Sequence, residues 1–277
     1  MRKTNKQKII TWFFSLIILF IIIWPVYWIV MSSFTEAARL YQRPVQYLPV
    51  NLVLDSYRVL FASPDAVRHI QGTATIALFT ILMSVTFCAL AGYGFARGAT
   101  RGLNIAFALL MFSTMVPMTV TVIPLMVFWR SLELTDTFPG IIILYFSAII
   151  PLSTTIYSSF VRQIPRSLEE AAMIDGTTML GAYTRIIFPL LRPVMATLCI
   201  LNFIFCVNEF FIPLMFTSRN VKVLSLLTAT IPRVDEFRMP WDTISAVGCL
   251  MLLPIILFIL FFEKQIMEGL MMGSIKQ

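Results

Sequence analysis

Residues 165–193 read PRSLEEAAMIDGTTMLGAYTRIIFPLLRP and lie between two long apolar runs. We call this polar stretch the elbow. A glycine stands near its middle, and charged side chains lie on both sides of that glycine: Arg166, Glu169, Glu170, Asp175, Arg185 and Arg192. A polar, helix-forming segment between apolar runs is a candidate surface for a soluble partner.

The composition excludes an ordinary soluble domain. Of the 277 residues, 58% are hydrophobic and 13% are charged, and the mean hydropathy is +0.86. A soluble domain usually carries about 25% charged residues. The net charge is +7, but the basic residues flank apolar runs and do not gather into one face. This distribution is typical of membrane topology and lipid headgroup contacts, and it does not indicate a nucleic-acid surface.

Six apolar runs approach or exceed the length of about 20 helical residues that crosses a bilayer. They cover residues 9–31, 70–96, 103–129, 139–161, 193–216 and 244–262. We therefore predict an all-α integral membrane protein with six transmembrane helices in a single membrane domain, residues 1–277. The basic N-terminus and the first run resemble a signal peptide, but the run has about 23 residues and no small-residue cleavage site follows it, so we expect an uncleaved helix.

The positions of lysine and arginine predict the orientation. With the N-terminus in the cytoplasm, 12 of the 21 basic residues fall on the cytoplasmic side, which is the direction that the positive-inside rule expects. We therefore expect both termini to be cytoplasmic, including a C-terminal tail of residues 263–277. The elbow, between spans four and five, then lies in the cytoplasm, and residues 34–68 form an outer loop.

Local sequence signals predict two short helices within the elbow. Ser167 and Glu170 have the spacing of a capping box, in which each side chain bonds the other residue's backbone amide. Gly176 is placed to end the first helix in a left-handed conformation. One of the next two threonines then begins a second helix, Met179 to Ile187, which Pro189 stops or bends.

The apolar face of the first elbow helix is small. Leu168, Ala171 and Ala172 form it at spacings of three and four residues. A helix that merely lies at the membrane interface usually has a bulky apolar face and a basic polar face. The alanine-rich face and the acids at the helix start are better suited to a groove in a protein, although both interpretations remain open.

No sequence feature indicates a metal or an enzymatic site in this chain. The four cysteines, Cys88, Cys199, Cys206 and Cys249, all lie inside apolar runs, and His69 is the single histidine. The phosphate-binding P-loop pattern and common hydrolase motifs are absent. We therefore expect no metal and no cofactor bound by this chain.

Four spaced elements of the elbow resemble the EAA signature of ABC importer permeases: Glu170-Ala171-Ala172, Asp175-Gly176, Ile186-Ile187 and Pro189. Phe188 stands where the signature expects leucine. The resemblance implies that the first elbow helix is a coupling helix that inserts into a cleft of an ATPase subunit, with Glu170 facing a basic residue there. The implied docking residues are Glu169, Glu170, Ala171, Ala172, Asp175, Gly176 and Pro189.

Further stretches resemble the carbohydrate branch of this family, typified by the smaller maltose permease. They are Pro25-x-x-Trp28, Ala91–Arg97, Leu134-Thr135-Asp136-Thr137, Asn208-Glu209-Phe210 and a tail containing Gln265, Gly269 and Gly273. The resemblance implies that the tail contacts the ATPase subunit. The chain departs from the branch at Val207, where tryptophan is usual, and at Gln71-Gly72, where an Asn-Ser pair is common.

The resemblance implies a permease subunit that forms half of the pathway of an ATP-driven, binding-protein-dependent importer for a carbohydrate. The implied partners are a second homologous permease, two ATPase subunits that hold ATP and magnesium, and an extracytoplasmic sugar-binding protein. The implied location is the cytoplasmic membrane of a bacterium or archaeon, which the chain crosses several times. A sugar phosphate or a polyol is an alternative substrate, and a stand-alone secondary transporter is an alternative function.

Glu209 is an acid deep in an apolar run, beside Asn208. Ionisable groups inside membranes are costly unless they are paired, so they often mark transport pathways. Two interpretations remain open at this point: Asn208 and Glu209 line the pathway, or Glu209 makes a structural hydrogen bond near the end of span five.

Overall fold

The computed structural model describes residues 5–48, 51–232 and 238–274. Its helices are α1 (Asn5–Ser33), α2 (Ala37–Leu40), α3 (Asp55–Ala62), α4 (Pro64–Arg97), α5 (Arg101–Ser113), α6 (Met118–Ser131), α7 (Phe138–Gln163), α8 (Ser167–Ile174), α9 (Met179–Leu190), α10 (Arg192–Asn208), α11 (Phe211–Phe216), α12 (Leu224–Thr230) and α13 (Trp241–Ser274). One π-helical turn interrupts α4 and another interrupts α9, at Ser84–Cys88 and Tyr183–Ile187. The all-α prediction is confirmed.

Backbone groups find no water partners in hydrocarbon, so apolar runs must satisfy them within helices. Among the described residues, four helices are long and apolar enough to cross a membrane: Ile10–Ser33 within α1, α4, α7, and Trp241–Lys264 within α13. Two bent pairs, α5 with α6 and α9 with α10, bring the number to six if each pair counts as one span. The six-span prediction agrees with that upper number.

The third predicted span, 103–129, is not one straight helix. It consists of α5 and α6, which are bent by 104° at residues 114–117. Pro117 stands just before α6 in an extended conformation, and a proline disfavours helix at the residue before it. The hydroxyls of Ser113 and Thr114 donate back to the carbonyls of Leu110 and Met111, 2.7 Å in each case. The break therefore has a local cause that hydropathy does not register.

The fifth predicted span, 193–216, is also interrupted. Helix α10 ends at Asn208, and the short helix α11 begins at Phe211. Pro213 has no N–H group for the carbonyl of Glu209, which instead accepts a hydrogen bond from Ser225 Oγ at 2.6 Å. The interruption thus places the Glu209 side chain, and a backbone carbonyl that has no N–H partner within the helix, in an apolar region.

The described residues group into two compact units. The first comprises the chain up to Val67 together with Leu227–Leu253. In this unit every residue of α1 from Ile10 to Val26 is exposed, as expected of a helix that faces lipid or another chain. Near the end of α1, Ser33 Oγ accepts a hydrogen bond from Tyr57 Oη at 2.9 Å, which ties the following loop to the helix.

The second unit comprises Arg68–Leu226 and the chain from Pro254 onward. Its core is built on α4 and α7, which pack closely at Gly92, where an added Cβ would lie 2.6 Å from Tyr157 Cβ. A buried polar group links three helices: Asn202 Nδ2 donates to Ser84 Oγ at 2.8 Å, and Ser153 Oγ donates to Asn202 Oδ1 at 3.2 Å. The core therefore combines close packing with an internal hydrogen-bond chain.

Candidate functional site

The elbow begins beyond the end of α7 and consists of α8 and α9. Helix α8 ends as the sequence predicts: Gly176 has a φ of 85°, its amide donates to Met173, and the Thr177 amide donates to Ala172. These two bonds form a Schellman motif, which a glycine at this position favours because it has no Cβ. The predicted left-handed cap at Gly176 is confirmed.

The predicted capping box is wrong. Arg166 already has helical dihedrals, with φ −62° and ψ −28°, and no side chain caps the helix start. The carbonyl of Arg166 accepts hydrogen bonds from the amides of both Glu169 and Glu170, 3.0 Å in each case. Ser167 therefore lies within the first turn of the helix and does not occupy the N-cap position that a capping box requires.

The second half of the elbow starts at a cap and ends at a bend. Thr178 Oγ1 accepts a hydrogen bond from the Gly181 amide at 3.2 Å and so begins α9. Helix α9 runs one residue past Pro189, to Leu190, and α10 then leaves at an angle of 71°. Pro193 has no N–H group for the Pro189 carbonyl, so the bend falls between the two prolines and not at Pro189 alone.

Several large apolar side chains of the elbow are exposed. Ile174 is 86% exposed and Leu180 is 66% exposed. Leu168, Met173 and Met179 are exposed as well. We call these five residues the apolar cap. Exposed apolar side chains clustered in this way mark a contact surface, either for another protein or for a membrane.

The two adjacent glutamates of α8 face opposite ways. Glu170 is exposed, as are Ala171, Asp175 and Gly176, whereas Glu169 and Ala172 are buried. The burial of Glu169 and Ala172 does not fit their place among the docking residues implied by resemblance, because both side chains are enclosed by contacts within the chain. The exposed members of that set, together with the apolar cap, remain available to a partner.

Glu169 is held by two residues one turn apart at the end of α4. Arg97 donates to Glu169 Oε1 from Nε at 2.7 Å and from Nη2 at 2.6 Å, and Tyr93 Oη donates to Oε2 at 2.9 Å. The Arg97 and Glu169 side chains are 8% and 9% exposed. Arg97 also donates to the Ile164 carbonyl at 2.9 Å. We call Tyr93, Arg97 and Glu169 the latch.

The latch was not predicted from the sequence. Arg97 was noted only as the end of the stretch Ala91–Arg97, and the charge at the end of an apolar run is normally explained by topology. A signal was nevertheless present, because Tyr93 and Arg97 are four residues apart and therefore lie on the same helix face.

A second polar anchor lies at the other end of α7, on Asp136. Its carboxylate accepts hydrogen bonds from four consecutive amides, those of residues 218–221, at 2.9–3.1 Å, and from Ser218 Oγ at 2.8 Å. Burial raises the pKa of Asp136, but the four amide bonds outweigh it and hold the pKa well below its ordinary value. We call Asp136 and residues 218–221 the clasp. The clasp was not predicted from the sequence either, because Asp136 was noted only as part of the stretch Leu134-Thr135-Asp136-Thr137.

Helix α4 also contacts the loop that contains the clasp. Thr73 Oγ1 accepts a hydrogen bond from the Leu224 amide at 2.8 Å. At Gly72 a side chain is excluded, because an added Cβ would lie 1.9 Å from the Lys222 carbonyl oxygen. This close approach explains why glycine stands at the position where the resemblance led us to expect a serine.

Gly72→Ala is expected to destabilise the protein by about 1–3 kcal/mol, since the obstructing atom belongs to the main chain and the loop must move. Gly94→Ala is the matched control on the same helix, because no atom lies within 4 Å of an added Cβ there. The measurement is the melting temperature of the purified protein in detergent. Equal melting temperatures for the two variants would contradict the close approach.

Asn208 and Glu209 lie at the interruption between α10 and α11. Glu209 Oε1 accepts a hydrogen bond from the Ile212 amide at 2.8 Å and so caps α11. Asn208 is exposed, and its Nδ2 donates to the Ile204 carbonyl at 2.9 Å. Glu209 Oε1 therefore makes a structural hydrogen bond, and the exposed side chain of Asn208 is accessible from outside the chain.

The predicted tail residues Gln265, Gly269 and Gly273 lie in the last part of α13, and their side chains lie outside the part of the chain that the structure describes. Among the described residues, no group of three His, Cys, Asp or Glu side chains is arranged to hold a metal ion.

An open cavity of about 570 Å³ lies in the first unit. The rings of Trp28, Tyr41 and Trp241 and the hydroxyls of Ser32 and Ser245 are part of its lining. Its volume is in the range of small-molecule sites, and aromatic faces with hydroxyls beside them can contact both the apolar and the polar sides of a ligand.

Comparison with known families identifies the class of protein. Residues 90–267 match the family described as binding-protein-dependent transport system inner membrane component. The match covers more than half of the chain, so the chain belongs to this family. It is a multi-pass subunit of an ABC transporter in the cytoplasmic membrane, a transport subunit and not an enzyme. The predicted membership of the ABC importer permeases is confirmed.

Individual proteins support the same assignment over nearly the whole chain. The trehalose transport system permease protein SugB of Mycobacterium tuberculosis is 31% identical over 253 residues, which are 91% of this chain and 92% of that protein. A bacterial ABC transporter involved in the import of alginate has a similar fold, with a TM-score of 0.80 at 20% identity over 95% of this chain and 99% of that one. A second structure, of the alginate transporter with an alginate pentasaccharide-bound periplasmic protein, has a TM-score of 0.70 at 17% identity over 94% and 96%.

Proposed function

We propose that this chain forms half of the translocation pathway of an ATP-driven importer for a carbohydrate. Family membership supports the importer, and the similar proteins support the substrate class, because one is described as a trehalose permease and another as an alginate importer. A sugar phosphate or a polyol remains the alternative within the same class.

The observation that carries the proposal is the apolar cap of the elbow. Five large apolar side chains, with Ile174 the most exposed, surround a turn whose geometry is defined by the Schellman motif at Gly176. Burying such a set against a partner is favourable by about 25 cal/mol per Å² of apolar surface. We propose that the partner is an ATPase subunit on the cytoplasmic side, with Glu170 facing a basic group on it.

Other parts of the complex follow from the same proposal. The pathway needs a second homologous permease, two ATPase subunits that bind ATP and magnesium, and an extracytoplasmic sugar-binding protein. Both termini lie in the cytoplasm, and the tail with Gln265, Gly269 and Gly273 contacts the ATPase subunit. The alginate transporter complex, which includes a periplasmic protein, supports the binding protein as a partner.

Asn208 and Glu209 are proposed to line the pathway. A helix interruption at membrane depth is tolerated where it borders a cavity or is buried in protein, and interrupted helices often form transporter sites. The interruption at Glu209 and the exposure of Asn208 support this location.

Reconstitution into proteoliposomes tests the function. The complete complex is expected to take up the sugar that its binding protein binds, identified by calorimetry, only when ATP and the binding protein are both present. Omission of the ATPase subunit is the control. Uptake by this chain alone under an ion gradient would instead identify a secondary transporter, and uptake of a phosphorylated or acyclic ligand would change the substrate class.

A further inference from the structure

Helix α4 is attached to both halves of the elbow. The latch joins its end to Glu169 on α8, and the ring of Tyr93 packs against the ring of Tyr183 on α9 with 4.9 Å between centroids. One turn of α4 therefore holds the two elbow helices together. A displacement of the elbow cannot occur without either moving α4 or breaking these contacts.

The chemistry of the latch favours a positioning role. Replacing a buried ion pair with neutral groups of similar size is often tolerated, whereas removing one partner leaves a buried charge uncompensated. Such a pair is therefore a poor device for stability alone. What the ion pair of Arg97 and Glu169 does supply is a defined direction and distance between two elements, through two donors on Arg97.

The same helix contacts, at its other end, the loop that contains the clasp. Gly72 and Thr73 contact the loop at Lys222 and Leu224. From Thr73 to Arg97 the helix extends about 36 Å at 1.5 Å per residue. Midway, the π-helical turn at Ser84–Cys88 is held by the hydrogen bond from Asn202 to Ser84, and Gly92 packs directly on α7. Helix α4 thus has a specific attachment at each end and a supported middle.

We propose that α4 is a rigid connecting rod that carries displacement of the elbow to the loop held by the clasp, with Arg97 and Glu169 as the positioning residues that attach it. This inference rests on the proposed function, in which an ATPase subunit moves the elbow. Bistable motion of packed rigid elements is the usual means by which such a displacement reaches a distant site.

The decisive variant is Arg97→Gln with Glu169→Gln, which leaves no buried charge unpaired. Its melting temperature, its co-purification with the ATPase subunit and its basal ATP hydrolysis are expected to match the wild type, while transport per ATP hydrolysed falls about tenfold. Arg97→Lys, which keeps the charge pair, is expected to retain more transport than the double variant. Arg101→Gln is the control, since Arg101 is an exposed arginine of the neighbouring helix.

The possible results distinguish a failure of the connecting-rod proposal from a failure of the proposed function. Wild-type transport by the double variant would overturn the rod, because coupling would then not need the latch. Loss of ATPase association at an unchanged melting temperature would also overturn it, since the latch would serve docking. Absence of ATP-dependent uptake by the wild-type complex would instead overturn the proposed function and the rod with it.

If the double variant does not accumulate in the membrane, the proposal is tested by a distance measurement on the protein with the latch intact. Spin labels at Ala91, near the end of α4, and at Thr184 of the elbow, both exposed, report the separation of α4 from the elbow in a chain whose four native cysteines are replaced by alanine. The distance distribution is expected to be the same without nucleotide and with ATP trapped. A change in this distance would show that the elbow moves without α4 and would overturn the rod.

Discussion

Ile174→Glu is expected to abolish co-purification of the ATPase subunit and, with it, ATP-dependent transport. Ile174 is 86% exposed, so the substitution costs the isolated chain little. In the proposed complex the side chain enters an apolar groove, where a carboxylate would lose its water without gaining a partner. Central apolar contacts of this kind are worth about 2 kcal/mol or more, which corresponds to about 30-fold in affinity.

The controls for Ile174→Glu use the same position and the same protein. Ile174→Val keeps an apolar side chain and is expected to retain association. The melting temperature of the glutamate variant in detergent should equal that of the wild type, which excludes misfolding as the cause. Normal association and transport by Ile174→Glu would contradict the apolar cap as the docking surface.

Asp136→Ala is expected to be strongly destabilising, because it removes the acceptor of four backbone amides and one hydroxyl. Hydrogen bonds to a charged group contribute about 1.5–3 kcal/mol each, but water replaces some of them in an exposed loop, so we expect a net loss of about 3 kcal/mol. For a chain of this size that corresponds to a fall of about 10 °C in the melting temperature.

The effect of Asp136 should depend on pH in a defined direction. The pKa of Asp136 is lowered in the folded protein, so its stabilisation is fully present above the ordinary aspartate pKa and is lost as the pH falls through the lowered value. The difference in melting temperature between the wild type and Asp136→Asn should therefore be largest at neutral pH and narrow below about pH 4. A difference in melting temperature that stays constant with pH would contradict an ionised Asp136 in the clasp.

The elbow shows which local predictions succeed. Gly176 was identified correctly because a left-handed helix end depends on the residue itself, and glycine adopts that conformation without a Cβ conflict. The capping box at Ser167 and Glu170 failed although its spacing was right. The helix begins earlier than the motif requires, and the conformation of Arg166 decides this start.

The spans show a similar limit. Hydropathy located the apolar runs because each must exclude water along its length, and four of them are single long helices. It did not locate the breaks between α5 and α6 or between α10 and α11. Those breaks depend on Pro117, Pro213 and the hydroxyl groups that bond back to the chain, which change the direction of a run without changing its polarity.

By itself the sequence determined the helical class, the apolar runs, the position of the elbow and, through resemblance, its family. Only the tertiary structure decided which of two adjacent glutamates faces inward. Glu169 and Glu170 have the same charge and helix preference, so nothing local distinguishes them. The difference comes from Tyr93 and Arg97, more than seventy residues away in the chain, which bury one carboxylate and so orient the whole of α8. The elbow can be predicted from its own residues, but its attachment to α4 depends on charges that only the folded chain brings together.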